Sequence, residues 1–178
     1  MYKILRENLL YIYKMENPNL LDIDGYDNYK FDKVLLQVYN NRTNKYLKNS
    51  LDVDGYYRVG LSKKCKVTTY KIHQLVYVCN NPTDDIIGFE IDHIDGNPQN
   101  NKIENLRKAT RSDNCSNTKT QKNNKLGIKY IYKYKNGYKF ELTKHKITYY
   151  KSFKKLEDAI AYRNIKVKEI CGEFANLG

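Results

Sequence analysis

The stretch Ile-Asp-His-Ile-Asp-Gly-Asn-Pro at residues 91–98 is the densest run of chemically active side chains in the sequence. Its last four residues are ordinary turn formers, which alone would indicate only a loop. Asp92 and His93 come just before that turn, where we expect a strand to end. The stretch therefore predicts a strand whose last two residues bring a carboxylate and an imidazole to the start of a loop.

Two asparagines further along the chain complete the pattern. Asn105 lies 12 residues after His93, and Asn114 lies 9 residues after Asn105. A long loop, a second short strand and a helix that opens near Ser112 would bring Asp92, His93 and Asn114 together. This arrangement is that of a ββα-metal site.

These residue types suit phosphodiester hydrolysis, which requires a base to activate water and a cation to stabilise the leaving oxygen. An unperturbed imidazole titrates near neutral pH, so His93 is the candidate general base. Asp92 and the amide oxygen of Asn114 are hard ligands suited to Mg²⁺ or Mn²⁺. Asn105, the second catalytic candidate, would hold the loop or orient the His93 ring.

At these positions the sequence resembles the H-N-H homing endonucleases of phages and large viruses, in a variant with Asp-His first and Asn last. The matching residues are Asp92-His93, Asp95-Gly96-Asn97, Asn105-Leu106-Arg107 and Asn114. The resemblance extends from about residue 67 to residue 117, with Lys108 standing where the family usually has an aromatic residue. The resemblance implies a metal-dependent DNA endonuclease that belongs to a viral or phage mobile element. It also implies that cleavage leaves 5′ phosphate and 3′ hydroxyl ends.

Positive charge is concentrated in the C-terminal third of the 178-residue chain. The whole sequence has a formal charge of +12, and residues 119–155 contribute +11 of it, from twelve lysines and one acid. A uniformly solvated surface would not concentrate charge in this way. We therefore expect a nucleic-acid-binding module that begins near residue 123, after a flexible basic linker at 119–125.

The pattern of this module predicts three strands and a helix. Strands are expected over 127–134 and 138–143, joined at Asn136-Gly137, and a third over 147–151. A helix is expected over 155–171, because apolar residues recur there at helical spacing. The predicted order is β-β-β-α.

The same module resembles the APETALA/ethylene-response-factor type of DNA-binding domain. The residues that carry this resemblance are Gly127-Ile128-Lys129, Gly137-Tyr138-Lys139-Phe140, Ser152-Phe153, Glu157-Asp158-Ala159 and Gly172-Glu173-Phe174-Ala175. The resemblance implies that the three-stranded sheet lies in the major groove of DNA.

Nine residues are candidate DNA contacts. They are Arg107, Arg111, Lys129, Tyr132, Lys133, Tyr134, Lys139, Lys144 and Lys146. The lysines would contact phosphates. Tyr132 and Tyr134 would read groove edges or pack beneath the helix, and the two arginines would contact phosphate beside the scissile bond or support the surface.

Upstream, strands are expected over 56–61 and 67–70 and a helix over 71–79. We predict an α+β fold with a β-rich N-terminal module at 1–66, a ββα-metal H-N-H nuclease core with its linker at 67–122, and the DNA-binding module at 123–178. The last is expected to be a three-stranded antiparallel sheet packed on one helix.

The apolar runs and the cysteine spacing argue against a membrane-spanning protein and a zinc-ribbon protein. The longest apolar runs are about five residues, against the roughly 20 that cross a bilayer, and the four cysteines form no C-x-x-C pair. We expect an intracellular monomer that acts on duplex DNA and has no membrane partner. The alternative is a catalytically inactive DNA-binding regulator that retains the nuclease fold; the intact set of four site residues favours the enzyme.

Overall fold

The computed structural model describes residues 17–178, which divide into two compact units. The first unit comprises residues 17–85 and 98–106, and the second comprises residues 86–97 and 107–178. Residues 1–16 of the expected N-terminal module lie outside the described residues. The described chain contains both helices and strands, which confirms the mixed α and β class, while the division at residues 66 and 122 stays a prediction.

The first unit contains two antiparallel sheets and one helix. Its four-stranded sheet has the order β1-β2-β3-β4, with strands Leu20–Asp22, Tyr29–Asp32, Gln37–Asn40 and Lys45–Tyr46. Its three-stranded sheet has the order β5-β6-β7, with strands Ser50–Leu51, Tyr57–Lys63 and Lys66–Lys71. Helix α1 follows at Ile72–Asn80.

The β6–β7 hairpin and α1 lie close to where the sequence predicts them. Lys63 pairs with Lys66, so Lys64 and Cys65 form a two-residue turn in which both residues have positive φ angles. Turns of this kind match the natural twist of two antiparallel strands. Helix α1 ends shortly before Pro82, which cannot continue a helix.

The second unit contains the predicted ββα segment, apart from Leu106. Strands β8 (Glu90–His93) and β9 (Leu106–Ala109) form a two-stranded sheet, and helix α2 (Arg111–Asn117) follows. The Thr110 hydroxyl accepts a bond from the Asp113 backbone at 3.2 Å, and the Asp113 carboxylate accepts one from the Thr110 backbone at 3.3 Å. This capping box fixes the start of α2.

The C-terminal module follows in the same unit. Strands β10 (Ile131–Tyr134), β11 (Gly137–Lys144) and β12 (Ile147–Phe153) form an antiparallel sheet in that order, and helix α3 spans Leu156–Cys171. One face of the sheet and one face of α3 share a core. Its buried residues are Ile131, Phe140, Leu142, Ala159, Val167 and Cys171.

The first hairpin of this module differs from the expected one. Residues 127–130 form turns instead of a strand, and the hairpin turn consists of Lys135 and Asn136, because Tyr134 pairs with Gly137. Gly137 is therefore the first residue of β11. A Cβ atom added there would lie 2.2 Å from the backbone oxygen of Phe153. The glycine is required by this close approach of two backbones.

Two lysines expected to contact DNA are buried instead, so that expectation is corrected. Lys129 and Lys144 are 6% and 4% exposed. The Lys129 ammonium donates to Ser116 O at 2.7 Å and also to Thr118 O. These carbonyls end α2, where helix carbonyls lack partners and positive charge is favoured. The Lys144 ammonium pairs with the Asp113 carboxylate, so both lysines hold α2 against the C-terminal module.

Burial lowers the pKa of Lys129 to about 8, because removal of the ammonium group from water disfavours its charged form. A neutral amine retains two N–H donors, which is the number that the two carbonyls require. Lys129 can therefore lose its proton without leaving those carbonyls unpaired.

We expect Gly137→Ala to lower the free energy of unfolding by about 1–3 kcal/mol, because the new methyl group meets backbone that cannot move aside. Urea unfolding followed by circular dichroism measures this change. Gly60→Ala is the control, because its Cβ would meet a Val67 methyl group at 3.1 Å, not backbone. Equal losses in the two variants would contradict the explanation for Gly137.

We expect the wild-type protein to gain stability as the pH rises from about 8 to about 10. In that window folded Lys129 has released its proton while the unfolded chain keeps it, so the unfolded state binds more protons and the free energy of unfolding increases with pH. Lys129→Met should remove this rise. Urea unfolding across the pH series tests it, with the exposed Lys133→Met as control; identical pH profiles for wild type and Lys129→Met would refute the burial effect.

Candidate active site

Asparagine side chains of helix α2 bond the side chains of strand β8 at two points. Residues two apart on a strand share a face, so Glu90 and Asp92 point to the same side of β8. The Asn114 Nδ2 atom donates to Glu90 Oε2 at 2.6 Å. One helical turn later, Asn117 Nδ2 lies 3.1 Å and 3.0 Å from the two Asp92 carboxylate oxygens. The helix therefore presents both asparagines to the strand that carries Asp92 and His93.

The Asp92 carboxylate is buried, at 5% exposure, and a buried charge requires a partner. Arg107 provides it, because its Nε and Nη2 atoms both lie 2.9 Å from Asp92 Oδ2. The two guanidinium bonds therefore use one oxygen. Asp92 Oδ1 has only the Asn117 bond among the contacts of the described residues, so it keeps lone-pair capacity for a further ligand.

His93 is the last residue of β8 and is 4% exposed. Its backbone oxygen accepts bonds from Asn117 Nδ2 at 2.8 Å and from the Gly96 backbone at 2.8 Å. The Asp95 carboxylate in turn accepts a bond from the Asn97 backbone at 2.8 Å. The turn-forming residues 95–98 thus help to fix the backbone at His93.

Asn117 and Glu90 are site residues that the sequence analysis does not identify. Asn117 bonds both the Asp92 side chain and the His93 backbone, and Glu90 holds the amide nitrogen of Asn114. Their spacing offered a clue, since Asn117 is three residues after Asn114 on a helix and Glu90 is two before Asp92 on a strand.

Asn105 lies in the first unit, at the end of the 3₁₀ turn Ile103–Asn105. Its Nδ2 atom donates to Asn100 O at 2.8 Å. This bond joins two residues of the loop between β8 and β9, as expected for a residue that holds the loop. Orientation of the His93 ring by Asn105 stays a prediction.

The donor atoms fit a hard divalent cation that binds few protein ligands. Because Glu90 holds the nitrogen of the Asn114 amide, the Asn114 oxygen remains available as a donor atom, together with Asp92 Oδ1. Mg²⁺ commonly binds one or two protein oxygens and completes its shell with water and phosphate. Residues 17–178 contain no group of three or more His, Cys, Asp and Glu side chains that would form an all-protein cage.

The two arginine candidates differ in their surroundings. Arg107 is largely buried by its pairing with Asp92, so it supports the site from within. The Arg111 side chain is 85% exposed, and its Nη1 atom lies 3.0 Å from Glu90 Oε1. An exposed pair of this kind is weak, so Arg111 remains accessible to a phosphate.

The remaining candidates lie on the sheet of the C-terminal module. Tyr132 pairs with Lys139 across the strands, while Ile131 pairs with Phe140, so Tyr132, Tyr134 and Lys139 occupy the face opposite the core. Both tyrosines are exposed, which excludes packing beneath the helix. Two further lysines lie outside this face: Lys133 stacks on the Tyr138 ring at 4.4 Å, and Lys146 lies in the turn before β12.

Comparison with known proteins identifies relatives of part of this chain. The chain is 37% identical over 98 residues to DNA endonuclease I-HmuI of Bacillus phage SP01, a match that covers 54% of this chain and 55% of that protein. It is 36% identical over 104 residues to uncharacterized HNH endonuclease L245 of Acanthamoeba polyphaga mimivirus, with 57% and 30% coverage. The chain thus spans about half of the first relative and less of the second.

A solved structure titled "DNA binding and cleavage by the HNH homing endonuclease I-HmuI" matches with a TM-score of 0.49 and 36% identity, covering 55% of this chain and 56% of that one. Within the described residues, no helix is both long and apolar enough to cross a membrane.

The HNH endonuclease family matches residues 70–115, which include Asp92, His93, Asn105 and Asn114. Residues 70–115 of this chain therefore match an HNH endonuclease domain.

Proposed function

We propose that this protein is a metal-dependent endonuclease of the HNH homing type that hydrolyses phosphodiester bonds in duplex DNA. One observation carries the proposal: Asp92 and His93 end β8 inside the matched domain, and Asn114 is bonded to the same strand through Glu90. The relative from Bacillus phage SP01 is named a DNA endonuclease, which supports DNA as the substrate.

In this proposal His93 is the general base that removes a proton from the attacking water. Asp92 and Asn114 hold the cation, and HNH nucleases are in general metal-dependent. Mg²⁺ or Mn²⁺, when bound, neutralises charge on the phosphate and its leaving oxygen.

The C-terminal module anchors DNA through the face of its sheet opposite the core. Tyr132, Tyr134 and Lys139 lie on this face, and the Lys139 ammonium lies 5.4 Å from the centre of the Tyr134 ring. Lysine contacts to phosphates supply affinity, and exposed tyrosines can contact base edges in a groove. Lys133, Lys146 and Arg111 are further phosphate contacts in this proposal.

We expect the wild-type protein to nick or linearise supercoiled DNA with Mg²⁺ and not with EDTA. His93→Ala should lose cleavage by a factor on the order of 100 or more, because loss of a positioned base costs that much, while DNA affinity is unchanged. Gel assays on supercoiled and linear DNA measure cleavage, and a filter-binding assay measures affinity.

His145→Ala is the matched control, because His145 is exposed and contacts Ser112 through its backbone nitrogen. Cleavage by His93→Ala at the wild-type rate would contradict the role of His93. Wild-type binding without cleavage in Mg²⁺ or Mn²⁺ would favour a DNA-binding regulator that retains the nuclease fold.

We expect Lys139→Ala to reduce the slope of log affinity against log salt by about 0.9, the amount for one lost phosphate contact on duplex DNA. Binding titrations at several salt concentrations measure this slope. Lys166→Ala on α3 is the matched control, because Lys139 pairs with Glu141 and Lys166 pairs with Glu169, but Lys166 lies on the helix and not on the open face of the sheet. Equal slopes for Lys139→Ala and wild type would rule out a phosphate contact by Lys139.

A further inference from the structure

The segment at residues 173–176, which follows α3, contacts the residues that hold Asp92. The Asn176 Nδ2 atom donates to Asn117 O at 2.7 Å and to Asn117 Oδ1 at 3.2 Å. Asn117 is buried, and its own Nδ2 atom faces the Asp92 carboxylate and the His93 carbonyl. A single residue, Asn117, therefore separates Asn176 from Asp92 and His93.

The bond from Asn176 supports the orientation of the Asn117 amide in which the nitrogen faces Asp92. A side-chain amide carries an acceptor oxygen at one end and a donor nitrogen at the other. With Asn176 donating to Asn117 Oδ1, the Asn117 nitrogen must point toward the carboxylate. In the reversed orientation, the Asn117 oxygen would face two carboxylate oxygens and the His93 carbonyl, and all of these contacts would be repulsive.

Arg107, the other partner of Asp92, is held by the same segment. Its Nη1 atom donates to Glu173 O at 2.7 Å, and its guanidinium lies 3.8 Å from the centre of the Phe174 ring. Arg107 has five N–H donors in a rigid fork, so fixing one edge and one face of the guanidinium fixes the edge that meets Asp92.

We propose that Asn176 is a positioning residue of the nuclease site, which acts through Asn117 on Asp92 and His93. The proposal rests on the proposed nuclease function. The 173–176 segment thereby couples the C-terminal module to the site: both partners of the Asp92 carboxylate take their orientation from it. Loss of the Asn176 side chain removes the bonds that hold the oxygen end of Asn117, so Asn117, and through it Asp92, is held less rigidly in the position from which Asp92 can bind a cation.

The test compares Asn176→Ala and Asn176→Asp with Glu173→Ala. Asn176→Asp keeps the size of the side chain and the acceptor for the Gly178 backbone but loses the donor to Asn117. Glu173→Ala is the matched control, because Glu173 contacts Arg107 only through its backbone oxygen. Single-turnover cleavage at saturating DNA, DNA affinity and melting temperature are measured for each variant.

We expect both Asn176 variants to cleave on the order of 10- to 100-fold more slowly, as for other residues that orient metal ligands. DNA affinity should be unchanged, and Glu173→Ala should cleave at the wild-type rate. A purely structural role would lower the melting temperature without changing the rate of the folded protein at saturating DNA. Wild-type rates in both Asn176 variants would overturn the proposal.

A spectroscopic measurement separates this proposal from the nuclease function itself. The NMR resonance of the Asn117 side-chain amide reports its bonds in the protein without DNA or metal. It should move in Asn176→Asp and stay unchanged in Glu173→Ala. If the wild-type protein cleaves and this resonance does not move, the positioning role fails alone; if the wild-type protein never cleaves DNA, the proposed function fails.

Discussion

The burial of the Asp92 carboxylate is the constraint on which the second unit depends. A charge at this depth needs a counter-charge and hydrogen-bond donors, and Arg107 and Asn117 provide them. Arg107 comes from β9 and Asn117 from the last turn of α2, so strand pairing and helix docking both follow from the needs of one side chain. Removal of Arg107 would leave a buried charge unpaired, which is far more costly than loss of an exposed ion pair.

The basic C-terminal module uses its positive charge in two ways. Part of it lies on the open face of the sheet, where the half-buried Lys139 pairs with Glu141 and lies beside Tyr134. Another part is buried, since Lys129 covers the carbonyls at the end of α2 and Lys144 pairs with Asp113 near its start. A helix of seven residues is marginal by itself. The two buried lysines stabilise both ends of the helix that presents Asn114 and Asn117.

Short-range sequence rules account for the elements of the site. Turn formers after His93, the capping box at Thr110 and helical spacing in α3 are all visible in short windows of sequence. The roles of Gly137 and Lys129 could be recognised only in the structure. Phe153 and the carbonyls of α2, which contact these two residues, come from distant parts of the chain. A count of lysines predicts that a module is basic, and it cannot tell which of those lysines are buried against a helix end.

The pairing of the site's carboxylates bears on how a cation would bind under the proposed function. Asp92 is paired with Arg107, and Glu90 lies 3.0 Å from Arg111, so this part of the site has little net negative charge. A divalent ion gains little Coulomb energy from carboxylates that arginines already neutralise. In the proposed complex the phosphate of bound DNA would supply the missing negative charge, so cation binding and DNA binding would favour each other by the same factor. Such a site holds its cation most tightly when DNA is present, which confines hydrolysis to bound substrate.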